Sequence, residues 1–550
     1  MPPNDSSHPT STSRPRRVKR ALLSVSDKSS LVELAKDLDG LGIELVASGG
    51  TASAIRDAGL PVLDVAELTA CPEMLGGRVK TLHPKIHGGI LARRELAEDQ
   101  KDLETHGIRE IDLVVCNLYP FQATVAQAGV TRPEAVEKID IGGPSMIRSA
   151  AKNHAYVGVV CDPSDYTAVV AELRTHGGLE AATLRRLALK AFQHTAAYDA
   201  AISQWLADND PEIPAEPFPD SLLISLDRSD LLRYGENPHQ QAALYGGFLE
   251  IAELLHGKAL SYNNLVDAQA ALALIVDFMP AAGALPAAGA PPATAASAAE
   301  GRAVVAILKH NTPCGVGSGE TPLAAYENAF ATDPDSPFGG IIVSNRPFDL
   351  ALAEKADEIF TEVLIAPSFE ADALALLEKK KNRRLLAFDR ERIDPAQLEV
   401  RRVFGGLLVQ EADPVPDEVL TAELVTEKAP SDEQRRAMEF AWWVVKHVKS
   451  NAIVFAAADR TLAIGGGATS RVDAVHAAAA KAARVGLSLE GSVLASDAFF
   501  PFADGLEAAV QAGASAVVQP GGSNRDEEVI AAANRLGVPM LLTGKRHFRH

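Results

Sequence analysis

ALLSVSDKSSLVELAKDLDGLGIELVASGGTASAIRDAG, Ala21 to Gly59, opens with an apolar burst, turns polar from Ser26 to Ser30, and then repeats apolar residues at helical spacing. A second burst, IELVASGG, follows with a second helical stretch behind it. Short strands separated by helix-length segments predict parallel pairing, because a parallel neighbour is reached only by a crossover long enough to hold a helix. Further bursts stand at PVLDV (61–65), DLVVCNLYP (112–120) and YVGVVC (156–161). Near-continuous apolar runs suit strands covered on both faces. The fold class expected is therefore α/β, beginning with a doubly wound parallel sheet.

Outward from that stretch, the chain punctuates itself. A helical segment, LEAATLRRLALKAFQHTAAYDAAISQWLAD, runs into the proline-rich, acidic NDPEIPAEPFPD. That composition shift predicts a boundary near 210 to 220, with one domain over 19–215 and a second over 221–550. MPPNDSSHPTSTSRPRR has basic residues but no apolar segment after them, so residues 1–18 read as a disordered tail, not a secretory signal. MPAAGALPAAGAPPATAASAAEG interrupts the second domain at about 280–301 and reads as a low-complexity surface insertion.

The C-terminal part can be laid on itself. GGIIVSNRPFDLALAEKADEIFTEVLIAP and GSVLASDAFFPFADGLEAAVQAGASAVVQP share the order strand, Ser-Asn or Ser-Asp, Phe, helix, strand. Either the region is duplicated into two similar α/β lobes, or two ordinary strand–turn–helix units look alike.

Bulk composition narrows the function. At 550 residues the chain exceeds what one core usually supports, and 47% hydrophobic with 23% charged residues is ordinary globular composition. No apolar run is long enough to span a bilayer. The net charge of −19 disfavours nonspecific nucleic-acid binding, so an anionic substrate needs local basic pockets. The four cysteines, Cys71, Cys116, Cys161 and Cys314, are scattered without a CxxC pair, which suggests neither a disulfide framework nor a thiolate zinc site and fits a reducing cytoplasm.

Several constellations can carry chemistry. MLGGRVKTLHPKIHGG gathers Arg78, Lys80, His83, Lys85 and His87 between glycine pairs. It is either a solvated basic loop or an anion site. SVSDKSS, with Ser24, Ser26 and Lys28, and SGGTAS, with Ser48, Gly49, Gly50 and Thr51, each sit at a strand-to-helix turn, where N–H groups and hydroxyls bind phosphate. Tyr119 in CNLYPF, and Asp140 and Lys152 in KIDIGGPSMIRSAAKNH, are each alone more simply structural than catalytic.

In the second domain, LLRYGENPHQ offers Arg233, Tyr234, Asn237 and His239, and SYNNL offers Asn263 and Asn264. VVAILKHNTPCGVGSG brings Lys309 and His310 onto a strand end ahead of a glycine turn. The pair is either solvated, or a base beside an ammonium that can support a developing oxyanion. Pro313-Cys314 lacks the second cysteine that a zinc deaminase needs, so zinc chemistry is not expected. SNAIVFAAADRTLAIGGGATSR supplies Asn451, Gly465 to Gly467 and Arg471, SDAFFPFADG supplies Asp504, and the GKRHFRH end supplies Arg546. No P-loop is present, and no ATP site is assigned.

Taken in order, SVSDK, SGGTA, GGRVKTLHP, NLYPF, IDIGGPS, AAKNH, RYGENPHQ, SYNNL, KHNTPCG, SNAI, SDAFFPF and RHFRH closely resemble the bifunctional purine biosynthesis family that joins a phosphoribosylaminoimidazolecarboxamide (AICAR) formyltransferase to an IMP cyclohydrolase. The resemblance runs from about Arg20 to His550, sparing the tail and the Ala/Pro insertion. It implies an N-terminal methylglyoxal-synthase-like domain and a C-terminal pair of cytidine-deaminase-like lobes without zinc. It implies formyl transfer from 10-formyltetrahydrofolate to AICAR, and then dehydrative ring closure of the product FAICAR to IMP.

Residue by residue, the resemblance makes His310 the base on the AICAR amine and Lys309 the group assisting the formyl oxygen and the leaving folate nitrogen. It makes Asn451 the residue orienting the formyl group and Asp504 a folate contact. Arg233, Tyr234, Asn264, Arg471 and Arg546 become AICAR contacts, with His239 beside them. For ring closure it implies Lys80, Tyr119, Asp140 and Lys152 as catalytic, with Ser24, Ser26, Lys28, Ser48, Gly49, Gly50, Thr51, Arg78 and Thr81 around the nucleotide. It further implies a cytoplasmic homodimer with small-molecule substrates, and a bound potassium ion for which no motif locates ligands, so no metal residue is assigned. The alternative is a nucleotide-sensing regulatory protein with inactive C-terminal lobes; the proton-transfer residues argue against it, since a sensor does not need them.

Overall fold

The computed structural model describes residues 15–127, 129–212, 218–279, 302–413 and 418–550. The proposed tail up to residue 14, the core of the 210–220 boundary and the Ala/Pro insertion at 280–301 lie outside the described residues. Two compact units divide at Ser225 and Leu226. Among the described residues no helix is long and apolar enough to cross a membrane.

The first unit is built on five strands, β1 (Arg20–Val25), β2 (Glu44–Ala47), β3 (Leu63–Asp64), β4 (Leu113–Asn117) and β5 (Gly158–Val160), in the order β3-β2-β1-β4-β5. Every pairing is parallel, as the strand–helix alternation predicts. Helices α1 (Leu31–Gly40), α2 (Gly49–Asp57), α3 (Pro84–Leu91), α4 (Gly142–Lys152) and the long α5 (Ala181–Asn209) bury apolar positions against the sheet. Arg16 and Arg17, inside the segment read as tail, pair antiparallel with Gly178 and Leu179. Gly178 permits it, since a Cβ there would stand 2.4 Å from the Arg16 carbonyl oxygen.

The second unit repeats one topology twice. The first lobe runs β6 (Ala252–His256), α6 (Tyr262–Asp277), β7 (Ala303–Lys309), β8 (Thr312–Gly319), α7 (Pro322–Thr332), β9 (Ile341–Ser344), α8 (Leu350–Asp357), β10 (Val363–Ala366), α9 (Ala371–Leu377) and β11 (Arg384–Phe388). The second runs β12 (Glu423–Leu424), α10 (Asp432–Val445), β13 (Ile453–Ala456), β14 (Thr461–Gly465), α11 (Arg471–Arg484), β15 (Ser492–Ser496), α12 (Ala503–Gln511), β16 (Ala514–Gln519), α13 (Asp526–Leu536) and β17 (Met540–Leu542). Their sheets are ordered β6-β11-β10-β9-β7-β8 and β12-β17-β16-β15-β13-β14, and the parallel and antiparallel pairings correspond throughout. The two stretches laid together in the sequence are β9–α8–β10 and β15–α12–β16, at equivalent positions. Of the two readings of that likeness, the matching strand orders favour duplication.

Strand periodicity explains how the lobes fuse. Val304, Ala306 and Leu308 of β7 join Val454 and Ala456 of β13 in one core with α6 and α10. The alternate residues, Val305 and Ile307 or Ile453 and Phe455, pack outward under each lobe's own helices. At the seam, an antiparallel bridge joins Gly317 to Arg460. The buried Thr461 hydroxyl holds both backbone groups of Val316, accepting from its N–H at 2.9 Å and donating to its carbonyl at 3.2 Å.

The glycine turn expected after Lys309–His310 is corrected by the fold. Gly315, Gly317 and Gly319 lie within β8, and a Cβ on Gly315 or Gly317 would approach α7 carbonyls to 2.0 and 2.4 Å. These glycines let a helix backbone lie directly on a strand. The turn comes earlier: Lys309 pairs with Thr312, and His310 (φ 53°) and Asn311 (φ 61°) form a two-residue connection with both residues left-handed. That is the type I′ geometry matching the twist of an antiparallel ribbon.

Candidate functional site

Two groups of side chains emerge, one in each unit. In the first, the carboxyl ends of β1, β2 and β4 form the floor. The Asn117 side-chain oxygen accepts the N–H groups of Ser26 (2.6 Å) and Asp27 (3.0 Å), while its amide donates to the Asp27 carbonyl at 3.0 Å. Asn117 therefore shapes the SVSDK turn, although sequence reasoning did not single it out. Beside it, a Cβ on Gly49 would stand 2.9 Å from Lys80 Nζ and one on Gly50 3.6 Å from Lys28 Nζ. Two ammonium groups thus lie over a bare glycine turn at the start of α2, an arrangement suited to a phosphate. Ser24, Ser26 and Ser48 surround this turn, whereas the buried Thr51 hydroxyl is engaged with both backbone groups of Val25 at 3.1 Å. Arg78 leaves the cluster to pair with Glu137.

Asp140 sits just before α4 and accepts the Gly143 N–H at 2.9 Å. Burial pushes its carboxyl above the usual range, against the pull of the Gly143, Tyr119 and Gly142 N–H groups and the charge of Lys80. Burial, and then the Asp140 charge, push the Tyr119 phenol upward. A Cβ on Gly142 would meet the Thr81 hydroxyl at 2.6 Å, and one on Gly143 would meet Asp140 Oδ2 at 2.4 Å. IDIGGPS therefore needs its glycines so that Thr81 and Asp140 can close on the helix start. Lys80, Tyr119 and Asp140 form one electrostatic group, a carboxyl displaced toward neutrality beside a phenol and an ammonium. Lys152 is not brought into it. It ends α4, eleven residues long and so about 15 Å from end to end, and lines a depression with Leu91, Arg148, His154 and Phe192.

In the second unit the Lys309–His310 hairpin stands over α6. Lys309 Nζ donates to the Phe338 carbonyl at 2.9 Å, beside the exposed Phe338–Phe360 ring pair. The Asn311 N–H donates to Asp267 Oδ1 of α6 at 2.7 Å. At the start of α6, the Asn264 side-chain oxygen completes the capping box with Ser261, and its amide donates to Glu362 at 3.0 Å. The RYGENPHQ loop is tied to this corner by an Asn263 bond to the Glu236 carbonyl at 3.3 Å. In that loop Arg233 lies over the Tyr234 ring, and His239 is exposed.

From the antiparallel Gly317–Arg460 bridge, β8 runs back toward Thr312 as β14 runs forward toward Gly465. The His310 turn thus lies at the same end of the seam as Gly465 to Gly467 and Asn451. Arg471 is buried there, its guanidinium donating to Asn451 Oδ1 (2.9 Å), Ser496 Oγ (2.7 Å) and the fully buried Asp497 (2.5 Å). In the fold it ties Asn451 to Ser496 and Asp497. Asn451 Nδ2 donates to the Ala468 carbonyl at 3.0 Å, leaving its second amide hydrogen for a ligand. The chain end braces this corner: the Ser450 N–H donates to the Arg549 carbonyl at 2.9 Å, and the Arg549 N–H to Ser450 Oγ at 3.1 Å. Arg546 stacks on Phe548, and Asp504 is exposed at the start of α12. Among the described residues no group of three or more His, Cys, Asp or Glu side chains is placed to hold a metal ion.

Comparison with known proteins agrees with both halves. Residues 30–145 match the MGS-like domain, and residues 150–481 match the AICARFT/IMPCHase bienzyme. The bifunctional purine biosynthesis protein PurH of Chloroflexus aurantiacus is 53% identical over 534 residues, covering 97% of this chain and 99% of that protein. The proteins of that name from Myxococcus xanthus and Enterococcus faecalis are 50% and 47% identical, covering 96% and 97% of this chain and 100% of each relative. A solved structure titled "Crystal structure of ForH" is 41% identical and covers 34% of this chain and 98% of its own, with a TM-score of 0.31. With a family model matching more than half its length and relatives near 50% identity from end to end, the chain belongs to the AICARFT/IMPCHase bienzyme family.

Proposed function

We propose that this chain catalyses the last two steps of IMP synthesis: formyl transfer from 10-formyltetrahydrofolate to AICAR, and dehydrative closure of FAICAR to IMP. The observation that carries the reading is that two proton-transfer groups, Lys80–Tyr119–Asp140 and Lys309–His310, stand in two separate compact units of a chain in this family. A sensing protein with inactive lobes has no use for the second group.

In formyl transfer, the 5-amino nitrogen of AICAR attacks the formyl carbon and the bond to folate N10 breaks. His310 takes the proton that the amine gives up, and Lys309 donates first toward the formyl oxygen and then to the departing nitrogen. Asn451, locked by Arg471 on one side and Ala468 on the other, presents its remaining N–H to the formyl group. Arg233, Tyr234, His239, Asn264 and Arg546 frame AICAR, and Asp504 meets the folate. Arg471 belongs to this site through Asn451.

In ring closure, the carboxamide nitrogen of FAICAR attacks its own formyl carbon and water leaves, so orientation supplies much of the rate. Lys28, with the serine hydroxyls and the Gly49–Gly50 turn, holds the ribose phosphate. Asp140 accepts the carboxamide proton, Lys80 stabilises the developing alkoxide, Tyr119 passes a proton to that oxygen, and loss of the formamido N–H proton accompanies the second protonation that releases it as water. Lys152 shares this site only if its side chain arrives from elsewhere than its own α4, which the homodimer implied by the resemblance would allow. The domains are 19–215 for closure and 221–550 for transfer, in a cytoplasmic enzyme. No step depends on the potassium ion that the resemblance also implies.

The test is a cross. His310→Ala abolishes tetrahydrofolate release from AICAR and 10-formyltetrahydrofolate while purified FAICAR is still cyclised, and Lys80→Ala does the reverse. Loss of both activities from either single change in a folded protein sinks the two-site reading.

A further inference from the structure

The shared topology makes each lobe a control for the other. When α6 and α10 are aligned on their capping serines, Ser261 and Ser431, the sixth residue beyond the cap is Asp267 in the first lobe and Ala437 in the second. The hairpins they face differ in step. β7 and β8 are joined by the two left-handed residues His310 and Asn311, whereas the β13–β14 connection through Ala457, Ala458, Asp459 and Arg460 contains no positive φ. The carboxylate and the strained turn therefore occur together in one lobe and are both absent from its twin.

A left-handed backbone is strained for each residue that has a side chain, so two in succession need support from their surroundings. Asp267 supplies it, accepting the Asn311 N–H at 2.7 Å. We propose that Asp267 is a positioning residue for formyl transfer: it clamps the turn that carries His310 and sets a carboxylate beside that turn. The inference rests on the reading of His310 as the base. As His310 takes the proton of the AICAR amine, the imidazolium forms beside an anion already in place. The other charged groups at this corner are accounted for. Lys309 is on the same hairpin, with its ammonium on the Phe338 carbonyl, and Glu362, ahead of β10, is held by Asn264 at 3.0 Å and Arg384 at 3.6 Å. Burial raises the Asp267 carboxyl, opposed by the Asn311 N–H and His310, while Glu362 adds to the rise.

Two substitutions separate the clamp from the charge. Asp267→Asn keeps an oxygen for the Asn311 N–H and removes the charge; Asp267→Ala removes both. In the full chain, Asp267→Asn is expected to lower kcat for formyl transfer about tenfold with the KM for AICAR within about threefold, since the turn keeps its acceptor while the forming imidazolium loses an anionic neighbour. Asp267→Ala is expected to lower kcat about 100-fold with the KM for AICAR within about threefold, the signature of a displaced base. Cyclisation of purified FAICAR stays at the parent rate in both. A kcat within twofold of the parent overturns the proposal, as does a rise in KM alone. Where Asp267→Ala fails to fold, the Asn variant decides. His310→Ala run in parallel locates any failure. If it retains formyl transfer, the reading of His310 falls; if it is inactive while both Asp267 variants match the parent, only the positioning role falls.

Discussion

Asn117 and His547 show what a single side chain decides. Asn117 is buried and spends its amide on three backbone groups of the SVSDK turn. Asn117→Ala strands the Ser26 and Asp27 N–H groups at a cost of about 1–3 kcal/mol and lets the phosphate-facing turn relax. IMP binding measured by titration calorimetry should weaken about tenfold or more, with formyl transfer unchanged; unaltered IMP affinity would contradict the role. NLYPF was quoted from the sequence, yet Tyr119 drew the attention, because a linear motif does not say which backbone groups an amide will meet.

His547 is equally hidden in RHFRH. Burial works to lower its imidazole, but Asp413 at 2.7 Å and Glu418 at 3.5 Å outweigh it and hold the group up to about 9, against an ordinary 6.5. A raised folded value stabilises fully below pH 6.5, where both folded and unfolded chains are protonated, and the contribution is lost as pH climbs toward about 9. The thermal transition of the second unit should therefore fall between pH 6.5 and 9, by an amount on the order of 3 kcal/mol in stability. His547→Gln should flatten that part of the melting curve, and a slope unchanged by the substitution would exclude His547 as its source.

At the scale of elements, CGVGSG carries the sharpest lesson. Three glycines at alternate positions look like a flexible turn, yet they form one face of β8 on which α7 lies. Glycine has no side chain whose pattern could reveal this, and its meaning depends on what stands opposite. Gly317→Ala would place a Cβ 2.4 Å from the Ala325 carbonyl oxygen and Ala329 nitrogen, both backbone and unable to swing aside. Overpacking of this kind costs about 1–3 kcal/mol or more, so the second unit should melt at lower temperature and lose formyl transfer while FAICAR closure persists. By contrast, the parallel strands of the first unit were legible, since apolar periodicity acts locally.

At the scale of the whole molecule, the second lobe passes from α10 to β13 by a short connection, where the first lobe carries 280–301 between α6 and β7. The flanks of that segment meet at one residue: the Asn345 amide lies 3.4 Å from both the Phe278 and the Arg302 carbonyl oxygens. A loop whose ends are already together adds little closure entropy with length. Replacing 280–301 by a short Gly/Ser linker should leave kcat and KM of both reactions within about twofold, because the segment is almost entirely Ala, Pro and Gly and contains none of the residues assigned to either reaction. A larger loss in either reaction would assign the insertion a role.

The amino-acid order by itself determined the α/β class, the two-part division, the ordered motifs and the residue types able to move protons. These follow from periodicity, composition and local turn chemistry, which act over a few residues. Only the tertiary structure decided that Arg471 faces Asn451 and Asp497, that Lys152 stands a helix length from Asp140, and that His310 rides a left-handed turn held by Asp267. The Arg471 and His310 arrangements depend on partners between 20 and more than 40 residues away in the sequence, and on a backbone angle that such a partner stabilises, and packing alone brings those groups together.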